Sequence, residues 1–229
     1  MSFCITNTAY NKVCLSLSGR TFFECKAQLD KTPFAELRLD RIEMSAQEIS
    51  SLVAIANEWI ITVKEPFFNN ADFIELFKAA LKTNIRFVDF DFEIIEKQQT
   101  LELINVSKKA GLKIMYSWHD FEKTPNANIL LKKLKEIADK NPDAIKMVCM
   151  GNNFNDAEKM LNLYKHYSNI VSFCMGEKCR ETRIAALKRG LCFSYAHPDA
   201  EESVAPGQYS YTKMISIADL LESGGEIYD

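Results

Sequence analysis

Long hydrophobic runs are missing from this 229-residue chain, and no apolar stretch approaches the roughly 20 residues a membrane helix needs. Met1-Ser2-Phe3-Cys4 offers no basic segment followed by an apolar one, so no secretory signal is expected. Neither sign of charge dominates. Lys and Arg total 28 and Asp and Glu total 31, a net charge of −3, which argues against a nucleic-acid binder that works by bulk charge. Glycine is scarce at 8 residues, and neither a GxGxxG fingerprint nor a phosphate-binding loop motif occurs. The seven cysteines (Cys4, Cys14, Cys25, Cys149, Cys174, Cys179 and Cys192) are odd in number and show no CxxC or Cys/His ligand spacing. Most lie in apolar runs, such as Val13-Cys14-Leu15, and read as reduced thiols used as small core hydrophobes. His119, His166 and His197 have no metal-ligand spacing among them. The expectation is a soluble, cytoplasmic protein with no metal and no membrane or nucleic-acid partner.

What is present is an ordinary globular composition, 47% hydrophobic and 26% charged. Short apolar runs alternate with helical patterns from end to end. The runs predict strands at 12–17, 35–40, 59–63, 87–92, 113–117, 144–148, 170–173 and 191–195. Most are apolar on both faces, as parallel strands covered by helices must be. Between them, Ser45-Ala-Gln-Glu48 reads as a capping box, and Asn155-Asp-Ala-Glu158 offers a similar helix start. Phe73, Leu76, Phe77, Ala80 and Leu81 fall at helical spacing, as do Leu130, Leu134, Ile137 and Ala138. Gly190 is placed to end the helix carrying Arg183. About eight such repeats without a linker predict one α/β domain over residues 1–229, a single (β/α)8 TIM barrel, with a doubly wound open sheet as competitor. In a barrel the chemistry belongs at the carboxyl ends of the strands.

Several polar residues stand where that pattern wants apolar ones. Lys146 interrupts the run Ala144-Ile-Lys146-Met-Val. A lysine inside a barrel must be paired or have its pKa pushed down, and a desolvated amine attacks carbonyls; the alternative is a strand-end lysine reaching solvent. His119 follows the fifth run, where an acid/base would sit. His166 reads as a solvated helix residue and His197, before Pro198, as local turn structure. Glu36, Arg38 and Asp40 alternate along one strand and share a face, either as a structural ion-pair network or around a ligand. Lys64 ends the third strand and Arg183 opens a helix after the seventh, each a cation able to meet an anionic substrate. Val204-Ala-Pro-Gly-Gln208 is a turn whose Gln208 could reach a ligand.

In combination these features resemble the type I 3-dehydroquinate dehydratases, the Schiff-base dehydroquinases of the shikimate pathway. The stretches that carry the resemblance are Glu36-Leu-Arg38-Leu-Asp40, Ser117-Trp-His119-Asp-Phe-Glu-Lys-Thr-Pro125, Ile145-Lys146, Met175-Gly176 with Thr182-Arg183, and Ala205-Pro-Gly-Gln208. The resemblance covers nearly the whole chain. It implies dehydration of 3-dehydroquinate to 3-dehydroshikimate without metal or organic cofactor, by a protein that is a homodimer. It implies Lys146 as the Schiff-base lysine and His119 as the general acid/base. Arg183 would hold the substrate carboxylate, and Ser16, Glu36, Arg38, Lys64 and Gln208 would line the substrate pocket. Three positions depart from the family pattern: Lys64 stands where Arg is usual, Phe68 where a Glu supports the histidine, and Val204 where Ser begins the loop. They bear on substrate affinity and on what orients His119. Two rivals share parts of the pattern, a class I aldolase-like Schiff-base barrel and a barrel that binds a shikimate-pathway metabolite without turning it over.

Overall fold

The computed structural model describes residues 9–29, 32–64, 71–200 and 205–225. Cys4, Glu65, Phe68, Ser203 and Val204 lie outside the described residues. Eight strands alternate with eight helices. The strands are β1 (Val13–Ser16), β2 (Phe34–Arg38), β3 (Glu58–Val63), β4 (Ile85–Asp91), β5 (Ile114–Asp120), β6 (Ala144–Met150), β7 (Ile170–Met175) and β8 (Ser194–Ala196). The helices are α1 (Phe22–Gln28), α2 (Ala46–Val53), α3 (Ala71–Ala80), α4 (Gln98–Lys109), α5 (Ala127–Ala138), α6 (Phe154–Asn162), α7 (Glu181–Ala185) and α8 (Tyr211–Glu222). All ladders are parallel, in the order β7-β6-β5-β4-β3-β2-β1-β8. No ladder joins β8 to β7 among the described residues, but Leu191 N donates to Ile170 O at 3.0 Å across that seam. The fold is the (β/α)8 TIM barrel that the alternation predicted.

The two-residue period of a strand sorts each sequence into an outer and an inner set. Ala35 and Leu37, Val88 and Phe90, and Ile145 and Met147 point outward and join the apolar faces of the helices in one large core. Phe34, Ile60, Phe87, Met115, Ala144 and Phe193 point inward and close the barrel floor. Above that floor the inner positions turn polar: Glu36, Thr62, Asp89, Ser117 and Lys146 are all buried. An all-apolar floor below a polar layer makes the barrel interior a one-ended well.

The helix starts show how local chemistry places the elements. Ser45 Oγ accepts from Glu48 N, and the Glu48 carboxylate accepts from Ser45 N at 2.8 Å, so the expected capping box is present. Thr21 and Glu24 form a second box at α1. The start of α6 lies two residues earlier than expected. Asn153 is the cap, its side chain accepting from Asp156 N at 3.1 Å, and Asn155 is already inside the helix. Gly190 closes the segment after α7 with φ +54°, and a Cβ there would stand 2.0 Å from Ile170 O. The strand ends also moved. β5 runs on to Asp120 because its ladder with β6 continues through His119↔Val148 and Asp120↔Cys149, so His119 is within the strand rather than after it. The apolar run 191–193 is not strand, because Cys192 adopts φ +55° and turns the chain before β8.

Candidate active site

Every residue singled out as a site candidate, namely Ser16, Glu36, Arg38, Lys64, His119, Lys146, Arg183 and Gln208, lines one pocket at the carboxyl end of the barrel. Lys146 is inward on β6 between Ala144 and Val148, and it is only 6% exposed. That removes the alternative of a lysine reaching solvent. Its ammonium is paired: Nζ lies 3.4 Å from Glu36 Oε1 and 3.5 Å from Asp89 Oδ2, and 4.0 Å above the ring of Tyr195. Burial works to lower the Lys146 pKa, but Glu36 and Asp89 outweigh it and hold the amine above its ordinary value. Of the two ways to bury a lysine, this barrel uses pairing.

Glu36 is the hub of that arrangement. Its Oε2 accepts from Ser16 Oγ at 2.9 Å and its Oε1 from Thr62 Oγ1 at 2.8 Å. Burial alone would raise its pKa, but Lys146, Arg38 and these two hydroxyls bring it down to about 2. Asp89 has no such set of donors, and burial pushes its carboxyl above the ordinary value despite Lys146 and Lys64. Asp40 lies in the turn just past β2 rather than on the strand as expected, and there it forms a bidentate pair that holds Arg38.

His119 is flanked by Lys64 and Phe121. Lys64 Nζ lies 3.0 Å from its Nδ1. The same ammonium lies 3.2 Å from Asp91 Oδ2. Phe121 stacks on the imidazole with centroids 5.6 Å apart and planes 7° from parallel. Burial, then the cations Lys64, Lys146 and Arg38, press the His119 pKa well below 6.5, so the ring is neutral at physiological pH.

Arg183 differs from all of these. It is 2% exposed, packs its guanidinium 4.5 Å over Phe173, and leaves Nε and Nη2 without a hydrogen-bond partner. Burial lowers its pKa to about 10, which still leaves it a cation at neutral pH. A buried, unpaired guanidinium facing a pocket calls for an anion with two oxygens. Gln208 lines the same pocket, buried, with Oε1 also without a partner. The turn that carries Gln208 is docked on the end of β7: Gly176 N donates to Pro206 O at 2.9 Å, and Gly207 N donates to Glu177 Oε1 at 3.0 Å.

Four polar residues of the pocket region were not found in the sequence: Arg41, which lines it just beyond the Arg38–Asp40 pair, and Asp89, Asp91 and Tyr195. Asp89 and Asp91 alternate with apolar residues in Phe87-Val-Asp-Phe-Asp91 and share the inner face, as Glu36 and Arg38 do; that alternation was the available signal. Tyr195 lies against Lys146 on the last strand, and only the fold reveals it. His166 is exposed on the surface, and His197 Nδ1 contacts Pro198 O at 2.8 Å away from the pocket.

Fold and pocket together define a barrel enzyme that shelters an amine in one pocket with an imidazole and offers an unpaired cation to a small anion. The type I 3-dehydroquinase family model matches residues 13–224. A 3-dehydroquinate dehydratase of Thermococcus gammatolerans is 31% identical over 193 residues, covering 82% of this chain and 87% of its own. One from Methanococcus maripaludis is 35% identical over 179 residues, covering 76% and 78%. Among solved structures, the 3-dehydroquinate dehydratase of Geobacillus kaustophilus superposes with a TM-score of 0.74 at 17% identity, covering 94% of this chain and 92% of that one. That likeness speaks for the fold. The chain belongs to the type I 3-dehydroquinase family, and it is an enzyme of that family, a dehydratase and so a lyase.

Proposed function

We propose that this protein dehydrates 3-dehydroquinate to 3-dehydroshikimate through a Schiff base on Lys146, with His119 as general acid/base. The observation that carries the reading is the Lys146 amine, shielded inside the barrel and sharing one pocket with a neutral imidazole and an unpaired guanidinium. Arg183 takes the substrate carboxylate and Gln208 and Arg38 meet its hydroxyl groups, which fixes the ring relative to the amine. Lys146 rests as an ammonium and must lose a proton before it attacks the C3 ketone. Asp89, 3.5 Å away and pushed up from its ordinary value by burial, is the adjacent base for that proton. Once water leaves the carbinolamine, the iminium draws electrons from C2. The ring face of Tyr195, already 4.0 Å from the ammonium, faces that cation as well. His119 takes the C2 proton and gives a proton to the departing C1 hydroxyl, and water then releases the product from Lys146. The reaction belongs to the third step of the shikimate pathway, in the cytoplasm, where the buried, reduced thiols of Cys14, Cys149, Cys174 and Cys179 suit a reducing medium. We take the working unit to be a homodimer.

The test is borohydride reduction in the presence of 3-dehydroquinate, followed by peptide mass mapping. The expected adduct sits on the peptide containing Lys146, forms equally well after EDTA, and is absent in Lys146→Ala, whose turnover falls by about 10⁴-fold or more. Full turnover in that variant, or an adduct on another lysine, overturns the covalent role.

A further inference from the structure

Lys64 makes two contacts that substrate binding alone does not explain. It leaves β3 directly after Val63 and places its ammonium between Asp91 Oδ2, at 3.2 Å, and His119 Nδ1, at 3.0 Å. Asp91 is itself fixed, its other oxygen accepting from Glu93 N at 3.1 Å. An ammonium has three hydrogens to donate and no lone pair to offer. While Lys64 is protonated, Nδ1 must be the acceptor, and the hydrogen of a neutral ring must sit on Nε2.

We propose that Lys64 sets the tautomer of His119 and holds the second proton of a two-nitrogen relay. This rests on the acid/base reading of His119 and adds to it the group that positions and recharges the imidazole. The resting ring then presents an acid, Nε2–H. When that proton passes to a departing hydroxyl, which leaves as water, a Nζ–H bond of Lys64 breaks and a Nδ1–H bond forms. Lys64 becomes a neutral amine accepting from Nδ1–H, and Nε2 becomes a base. Loss of water from the carbinolamine therefore arms His119 to take the C2 proton. When it does, the Nδ1 proton returns to Lys64, and Nε2–H is ready for the C1 hydroxyl. Each transfer moves one proton at Nε2 and one at Nδ1, so no charge accumulates on the ring. The third N–H of Lys64 stays free for substrate.

The electrostatics favour such a relay. The charged groups around the imidazole are Lys64 just past β3, Asp91 and Asp89 on β4, Arg38 and Glu36 on β2, and Lys146 on β6, with Arg41 and Arg183 in the lining of the same pocket. The cations among them, with burial, oppose a doubly protonated ring. Burial also lowers the Lys64 pKa, only partly offset by Asp91, so the amine parts with a proton more readily than a surface lysine does. A guanidinium in its place would donate the same hydrogen bond but could not give up the proton.

The first test needs no substrate and leaves Lys64 unaltered. Full-length protein labelled with ¹⁵N-histidine, its His119 signals assigned by difference from His119→Gln, is examined by long-range ¹H–¹⁵N correlation at neutral pH. The expected result is the Nε2–H tautomer; an Nδ1–H ring overturns the proposal. In Lys64→Met the ring becomes a tautomer mixture, and its titration, with the acid limb of the kcat profile, moves up by about one unit; an unmoved titration overturns the positioning role. Lys64→Arg retains the tautomer while kcat falls about 100-fold with KM within about twofold; full kcat there overturns the relay. Borohydride trapping at Lys146 is run on the same samples. Its failure counts against the Schiff base, and the NMR result against or for Lys64, so the two readings fail separately.

Discussion

Lys146 and Arg183 are both cations buried in the same barrel, yet their surroundings are opposite. Lys146 sits among Glu36, Asp89 and the Tyr195 ring, and its charge is compensated by the protein. Arg183 sits over Phe173 with two nitrogens unpartnered. The pKa directions follow: the amine is held up by its carboxylates, and the guanidinium is brought down to about 10 by burial that nothing opposes strongly. An unpaired buried charge costs several kcal/mol, a cost that a ligand of opposite charge would offset. The Lys146 side of the pocket, drawn from β2, β4, β6 and β8, therefore has its charge balanced within the protein, while the Arg183 side, which includes Gln208, has its charge balanced only with an anion bound.

The largest way to break this comparison is Arg183→Met. If the guanidinium has no protein partner, its removal relieves a desolvation cost, and the free protein should be as stable as before or more so in thermal unfolding. Affinity for the anionic substrate should fall by about 100- to 1000-fold, read as KM. A marked loss of stability in the substrate-free variant would mean that Arg183 has a structural partner, and the contrast with Lys146 would fail.

Glu36→Gln probes the compensated side and should act through stability. Gln keeps the contacts to Ser16 and Thr62 but removes one of the two charges on Lys146, at a cost of about 2 kcal/mol. The sign of the pH effect is fixed by the direction of the Glu36 shift. Its folded pKa, about 2, lies below the ordinary 4.5, so it stabilises the fold above pH 4.5 and that contribution drains away as pH falls from 4.5 towards 2. The wild-type protein should lose stability across that window, measured by denaturant titration, and Glu36→Gln should lose distinctly less.

The two sides were not equally legible in the sequence. The compensated side announces itself by period: Glu36 and Arg38, or Lys146 between Ala144 and Val148, are polar residues at inner positions of otherwise apolar strands. The same rule applied to Phe87–Asp91 would have yielded Asp89 and Asp91. The barrel itself was readable because buried parallel strands are apolar on both faces. Strand ends were not, since the length of β5 is set by its ladder with β6 and the start of β8 by the left-handed turn at Cys192. For the open side, sequence marks Arg183 and the Pro-Gly turn as candidates, but a missing partner is a property of three-dimensional packing. Likewise the contact of Lys64 with His119 joins a residue just past β3 to one on β5 across a strand that lies between them.

The smallest effect sharpens the comparison at the turn that bears Gln208. Gly207 adopts φ +74°, and a Cβ there would stand 2.4 Å from Gly176 O, a backbone atom that has no freedom to swing aside. Gly207→Ala must therefore lift the turn off the end of β7 or strain it, at roughly 1 kcal/mol. The contacts at risk are Gly207 N to Glu177 and Gly176 N to Pro206, which together hold the turn that brings Gln208 to the pocket Arg183 lines. None of them touches Lys146 or its carboxylates. KM should accordingly rise about fivefold, while the rate of borohydride trapping at saturating substrate and the acid stability governed by Glu36 stay as in the wild type. A fall in trapping at saturation would show that the turn also orders the amine, and the two sides of the pocket would then be one coupled unit.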